Sequence, residues 1–417
     1  YLPKNMSHST IPALKHRNLA EAAVKSLHEI FAQNKFADKV VPALLAGNAK
    51  WGSKDRHALA FTIYEMVRHW RLICHCAGKP LLTNPTLAQV WQLLGVWHSM
   101  HQLPLPPFEE FTLINPAHVL QQFEEVSQLP RAVRYSMPDW LDQFIYAQLN
   151  HLWETEIAAL NRPAPPVLRV NHIKTNLQKV LQALEQLQIS VQTLPHAPDA
   201  LALTMPKQVV KLPIYLNGWV EIQDAASQLV APFLDAQKGM KIVDVCAGAG
   251  GKSLHLASLL QNKANIIAYD TDKTKLEQLK LRARRNGATC INTLPANTLP
   301  SLLKKAFSNA DRMLLDVPCT GLGTLKRHPD LKWKLTPTHI TNLQTTQHNL
   351  LTLYLPMLKP GAVAVYATCS ILPSENQQQV EQFLAQHKGS FELLDEQHVS
   401  PSQFGFDGFY MAKIIRK

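Results

Sequence analysis

Cysteine is scarce in this chain. Six residues among 417, with only Cys74 and Cys76 close together, exclude the disulfide framework of a secreted scaffold and lead to the expectation of a reducing, cytoplasmic compartment. Cys74-His75-Cys76 lacks a second ligand pair at a usual spacing, so its thiols read as buried helix residues and no metal is expected. No uninterrupted apolar run approaches the roughly 20 residues that cross a bilayer, so no membrane association is expected. The first residues are polar and basic where a signal peptide would be apolar. The chain opens on Tyr1, and the residues before Met6 read as a trimmed or added start. There is no internal repeat and no low-complexity tract. Acidic residues are the last deficit: 31 Asp and Glu face 42 Lys and Arg, and the net charge of +11 suggests a polyanionic partner such as nucleic acid.

What is present divides into segments. The length exceeds one ordinary core, so two or three domains are expected. From about 19 to 160 the pattern is helical: Ala20, Ala23, Val24, Leu27, Ile30 and Phe31 recur at helical spacing, as do Leu59, Phe61, Ile63, Met66 and Val67 after Asp55 as a cap. Proline clusters at 103–107 and 161–166 interrupt it. Strands over 167–170, 191–194 and 200–204 with a helix over 176–187 predict a small α+β module. Beyond it, strands over 241–246, 265–270, 289–294, 312–317 and 362–368 alternate with helices over 252–260, 273–286 and 338–358. The inward stripe of the last helix, Ile340, Leu343, Gln347, Leu350, Leu351, Tyr354 and Leu358, has one polar member, Gln347. Such alternation predicts a doubly wound, mainly parallel sheet, whose ligands bind outside the carboxyl ends of the strands, where Cys246, Asp270, Asp316 and Cys369 fall. The expected divisions are 1–130, helical; 131–222, a linking helix and the α+β module; and 223–417, the doubly wound domain.

The segment Cys246-Ala247-Gly248-Ala249-Gly250-Gly251-Lys252 follows a buried strand, and its glycines permit a sharp turn and close approach to a ligand. A Walker A loop needs glycine where Cys246 stands, and a dinucleotide fingerprint needs a third glycine where Ser253 stands. Neither is satisfied. Asp270, ending the next strand, suits the ribose hydroxyls of an adenosine in either NAD or S-adenosylmethionine, or a plain helix cap. A methyl donor has no pyrophosphate, so it needs the tight turn but not the full dinucleotide pattern.

Cys319, in Asp316-Val317-Pro318-Cys319-Thr320, and Cys369, in Tyr366-Ala367-Thr368-Cys369-Ser370, follow two different strands. Either alone reads as a small buried hydrophobe. Together, in loops of Thr, Ser and Pro beside polar neighbours, they suit covalent catalysis. Carbon 5 of cytosine becomes nucleophilic when a thiolate adds to carbon 6, and after alkylation a base must take the carbon 5 proton before the thiol leaves. Two strand-end cysteines can divide those tasks. Asp316 is placed to meet the ring nitrogen and amino group, with Pro318 stiffening the loop. Lys326, Arg327, His328 and Lys332 form a basic loop expected to hold phosphates beside a target nucleotide. The charge of 273–286 reads as a solvated face. Cys246 and Cys290 read as packing residues, with the Cys246 backbone near the cofactor.

Gln223-Asp224-Ala225-Ala226-Ser227, the glycine turn, the two cysteine segments, Arg327-His328-Pro329-Asp330 and Asp407-Gly408-Phe409-Tyr410 together resemble the Sun (Fmu, RsmB) type of RNA cytosine-5 methyltransferases, within the Nol1/Nop2/Sun group. The resemblance is specific from about residue 168 onward and looser before it, although Tyr135 to Trp140 also looks like the family's middle region. It implies a Rossmann-like methyltransferase domain, a ferredoxin-like module before it and an N-terminal NusB-like RNA-binding domain. It further implies Cys369 as the attacking thiolate, Cys319 as the helper in product release, and S-adenosylmethionine held by Cys246 to Lys252, Asp270 and Asp316. Lys252 would lie near the methyl donor and the base. Two departures stand out. The family's turn reads C-A-A-P-G-G-K where this chain has Gly248 and Ala249, and the family's acidic adenine contact is Asn297 here, whose amide can still accept a hydrogen bond.

The expected function is therefore S-adenosylmethionine-dependent methylation of cytosine carbon 5 in an unpaired or flipped base of RNA, small-subunit ribosomal RNA foremost, by a monomer. A non-catalytic RNA-binding or ribosome-assembly factor retaining the fold is the alternative. An NAD-dependent oxidoreductase is a third class, which nicotinamide binding would reveal.

Overall fold

The structure is a computed structural model that describes residues 11–204 and 209–417; Tyr1 and Met6 lie outside them. The chain forms two compact units. One takes the residues up to Pro163 together with Thr324–Leu335; the other comprises Ala164–Gly323 and Thr336–Lys417. By compactness the helices up to residue 160 group with the amino-terminal part, which also takes in a distant segment.

The first unit is all-α. Its helices include Arg17–Ala32, Ala37–Ala46, Ser53–Arg68, Trp70–Cys76 and Leu87–Met100. Ala20, Ala23, Val24, Leu27, Ile30, Leu59, Ile63, Met66 and Val67 are all buried, as their spacing requires, and pack with Trp70 and Trp97. Asp55 is the third residue of its helix rather than the cap; its carboxylate reaches back to the amide of Gly52 at 3.3 Å. Burial pushes the thiols of Cys74 and Cys76 up to about 11 and about 12.

Thr324–Leu335 closes helix ends in this unit. Asp330 accepts from Ala37 N at 2.8 Å, at the start of Ala37–Ala46. Lys332 donates to the carbonyls of Arg68 (2.8 Å) and Tyr135 (3.4 Å), Trp333 Nε1 donates to Val67 O, and Arg68 donates to the carbonyls of Leu325 and Lys326. The expected phosphate loop is corrected here. Lys332 is 1% exposed, its ammonium held well below the usual lysine range by burial, and Lys326 is also buried. The unsatisfied carbonyls of the helix end have taken the cation that the sequence reading assigned to RNA. Arg327 and His328 are half-buried.

The second unit holds two sheets. Strands β1 (Val167–Val170), β2 (Val191–Leu194), β3 (Ala197–Leu203) and β4 (Val220–Ile222) pair antiparallel in the order β2-β3-β1-β4. The helix Leu177–Gln186, capped by Asn176, joins β1 to β2, which gives a ferredoxin-like arrangement. The larger sheet contains β5 (Lys241–Asp244), β6 (Asn265–Ala268), β7 (Ile291–Thr293), β8 (Arg312–Asp316), β9 (Val363–Thr368), β10 (Phe391–Val399) and β11 (Phe409–Arg416), in the order β10-β11-β9-β8-β5-β6-β7. The five strands from β9 to β7 are parallel, and the β10–β11 pair adds an antiparallel edge. Strand order reverses between β5 and β8, which opens a crevice beyond their carboxyl ends. The large sheet and the small one share a core through Val167, Ala226, Val230, Leu254 and Ala257.

Lys332→Met removes the donor that closes the carboxyl end of Ser53–Arg68. The expected result is a loss of about 2 kcal/mol from the helical unit, seen as a lower guanidinium midpoint; an unchanged midpoint would show that those carbonyls need no donor.

Candidate active site

The cradle is built by backbone conformation. β5 stops at Asp244, so the residues after it form a turn rather than strand, with Gly248 at φ 53° and Gly250 at φ 84°. At Gly250 a Cβ would come within 2.5 Å of the Leu279 side chain, so glycine is demanded twice over. Asp270 ties the turn to the next strand: its Oδ2 accepts from Gly248 N and its Oδ1 from Asp272 N, each at 2.8 Å. A carboxylate so held retains lone pairs that can accept ribose hydroxyls. Ala249 directs its carbonyl to Arg282 at 2.8 Å, and Gly251 directs its own to the buried Arg169 of β1 at 2.7 Å, so the small sheet braces the cradle. Arg169 also donates to Gln223.

Beside the turn lies a cavity of about 420 Å³, walled by Cys246, Gly248, Asp270, Asp316, Pro318 and Tyr354. It is of small-ligand size. Ala247 is buried behind it, and Cys246 has its thiol pushed far up by burial. Asn297 does not line the cavity; it is exposed in the turn after β7, so the adenine contact expected of it is not preformed.

The two thiols meet. Asp316 and Ala367 are register partners on adjacent parallel strands, and Cys319 and Cys369 follow them. Their sulfurs stand 3.4 Å apart, a contact between free thiols. Cys319 is held well above the usual thiol range, first by its hydrogen bond with Cys369, then by burial and by the charges of Cys369 and Glu375. Lys252 reaches across from the cradle helix Gly251–Leu259 to Asp316, Nζ to Oδ2 2.5 Å, and lies over the Phe409 ring at 5.0 Å. Gly323 is pinned beside the Cys369 segment, its N–H on Cys369 O and its carbonyl receiving Gly408 N. A Cβ there would sit 2.1 Å from Gly408 O.

Sequence reasoning missed the polar floor beneath the thiols. Glu375 is fully buried, and its carboxylate accepts from Thr320 N (2.9 Å), Thr320 Oγ1 (2.6 Å), Ser370 Oγ (2.5 Å) and Gln347 Nε2 (2.9 Å). The lone polar residue in the apolar stripe of Pro337–Tyr354, Gln347, was the available signal.

A parallel sheet with a reversed strand order, a left-handed glycine turn beside a ligand-sized cavity and an acidic residue after the neighbouring strand define a Rossmann-like domain built for an adenosine cofactor. Comparison with known proteins narrows this. The family description "16S rRNA methyltransferase RsmB/F" matches residues 231–415, and the ferredoxin-like domain of RsmF/B-like methyltransferases matches 137–210. Ribosomal RNA small subunit methyltransferase B of Yersinia pseudotuberculosis is 31% identical, over 96% of this chain and 99% of the relative. Among solved structures, PH0851 superposes with a TM-score of 0.80 at 23% identity, covering 97% of this chain and 100% of that one. A methyltransferase homologue from Pyrococcus horikoshii gives 0.61 at 26%, covering 70% and 99%. The chain belongs to the Sun/Fmu family of RsmB-type methyltransferases.

Asp244, beneath the cradle, is buried, with Oδ2 receiving Ser253 Oγ at 2.6 Å and Oδ1 unpaired. Burial pushes its carboxyl up to about 7. Between about pH 4, where an unfolded aspartate ionises, and pH 7, the folded chain keeps a proton that the unfolded chain has released, so this group's contribution to stability falls as pH rises through that window. Asp244→Asn keeps an acceptor for Ser253 and cannot ionise. Its melting temperature relative to the native chain should climb across that window and level off above it; parallel pH profiles would contradict this.

Proposed function

We propose that the protein methylates carbon 5 of a cytosine in RNA, small-subunit ribosomal RNA being the favoured substrate, through a covalent bond between Cys369 Sγ and carbon 6. The observation that carries this reading is the 3.4 Å contact between two free thiols, one of them following Asp316 and Pro318 of the cavity wall, where Asp316 is paired with Lys252. The name of the Yersinia relative supports the choice of ribosomal RNA.

In this scheme Asp316 receives the ring nitrogen and exocyclic amino group, with Lys252 fixing its orientation. The Cys369 thiolate adds to carbon 6, and the electron pair of the 5,6 double bond becomes available at carbon 5. S-adenosylmethionine, when bound on residues 246–252, Asp270 and Asp316, supplies an electrophilic methyl group. The Cys319 thiolate then takes the carbon 5 proton, that C–H pair restores the double bond, and the carbon–sulfur bond breaks to return the Cys369 thiolate. Charge logic favours this division. While Cys369 is a thiolate, its hydrogen bond and its charge keep the proton on Cys319. Once Cys369 is a neutral thioether both of these influences vanish, while burial and the charge of Glu375 still favour the protonated form; in this scheme Cys319 gives up that proton before it acts as the base.

The helical unit is the NusB-like RNA-holding part of this reading, in which the protein works as a cytoplasmic monomer. Arg327 and His328 remain the loop's candidates for phosphate contact.

The test uses labelled methyl donor and unmodified small-subunit ribosomal RNA. Cys369→Ala should lower transfer by about a thousandfold or more. Cys319→Ala should accumulate a protein–RNA species that survives denaturing gels. Full activity of Cys369→Ala, or no adduct from Cys319→Ala, defeats the proposal; a non-catalytic scaffold would transfer nothing in any form.

A further inference from the structure

We infer that Glu375, assisted by Gln347, is the positioning residue that sets the distance between the two thiols, an assignment that rests on the proposed thiol chemistry. Neither side chain lines the cavity, and the hydrogen bonds of both go to groups other than the sulfurs. Glu375 acts through the residues that follow the cysteines, Thr320 after Cys319 and Ser370 after Cys369, and Gln347 acts through Glu375 and the carbonyl of Pro318.

A carboxylate has about four lone-pair positions, and Glu375 has four donors filling them. Two donors come from Thr320, through its backbone N–H and its hydroxyl, one from the Ser370 hydroxyl and one from Gln347 Nε2. The carboxylate therefore straddles the two loops. Gln347 adds a further tie, donating also to Pro318 O at 2.9 Å, one residue before Cys319. The anchor itself is fixed from three sides. Tyr366 OH donates to Glu375 O at 2.6 Å, Asn376 Oδ1 receives Thr368 Oγ1, and Asn376 Nδ2 donates to Ser370 O at 3.1 Å. All of these side chains are buried, so water does not compete for the bonds. A core position that sought only packing would carry an apolar residue, because burying a carboxylate is costly unless its bonds are needed. The sheet brings the two strand ends side by side, and beyond Asp316 and Thr368 the loops are joined directly by Gly323 N–H on Cys369 O and by the Thr320 and Ser370 hydroxyls at 3.3 Å; the shared acceptor fixes the residues next to both sulfurs at once.

The charge and the bonds of Glu375 can be separated. In Glu375→Gln the amide oxygen can face Thr320 N and Gln347 while its NH2 group donates to the two hydroxyls, which can accept as well as donate. That variant loses the charge and keeps the bracket. Glu375→Ala loses both. The proposal predicts that the kcat of Glu375→Gln stays within about tenfold of the native enzyme and that Glu375→Ala falls about a hundredfold below it, the scale of an ångström's misplacement of reacting groups. KM for S-adenosylmethionine should be unchanged in both.

A second readout needs no activity. Diamide oxidises two adjacent thiols to a disulfide while being reduced to the hydrazine, and Cys319–Cys369 pairing should be about tenfold slower in the Ala variant than in the Gln variant, since only proximity differs between them. Equal kcat and equal pairing rates in folded Gln and Ala variants would overturn the assignment. Should Glu375→Ala fail to fold, Gln347→Leu replaces it; that change removes two of the ties, and native kcat and native pairing there would overturn the assignment equally. Absence of methyl transfer by the native chain would instead strike the proposed function, leaving the pairing rates to judge the bracket alone.

Discussion

Adjacent parallel strands impose one constraint on which the chemistry depends: side chains just past the ends of β8 and β9 must share the same small volume. Residues 50 apart in sequence are thereby brought to a sulfur–sulfur contact. The glycine turn after β5 faces the same crevice from the next strand, because the strand order reverses between β5 and β8. The glycine turn, Asp316 and the two thiols thus come from three neighbouring strand ends. Lys252 and Asp316 join them with a single ion pair.

Local patterns conveyed much of this. Alternating strands and helices, the left-handed glycines and two cysteines after strands are properties of short windows, and each is satisfied where the windows predict. The segment Lys273–Asn286 formed as a helix over the expected range, because Asp272 caps its start and Gly287 at φ 70° ends it. The edge pair β10–β11 escaped notice for a physical reason. β10 is exposed along most of its length, so its apolar alternation is faint, and it exists because β11 supplies its hydrogen bonds. Asn297 was assigned by analogy of position, but the chain after β7 turns its side chain to solvent.

Long-range polar partnerships were the least legible. Glu375 looks like any surface glutamate after a proline until the cysteine loops surround it. Composition pointed to a nucleic-acid partner without locating its surface. The excess of +11 counts every cation alike. Yet Arg68, Arg169 and Lys332 are buried and spend their hydrogen bonds on backbone carbonyls and neighbouring side chains. Net charge describes what a surface can attract only after such internal uses are subtracted.

The recruitment of Thr324–Leu335 into the helical unit bears on how the chain is made. Synthesis runs from the amino end, and units ordinarily close in the order in which they leave the ribosome. Here the earliest-made helices lack the aspartate that starts Ala37–Ala46 and the lysine that seals Ser53–Arg68 until translation has passed residue 335. By then most of the large sheet has also emerged. The helical unit cannot close its own helix ends before residues 324–335 have been made, so its core waits on a segment far downstream in the same chain.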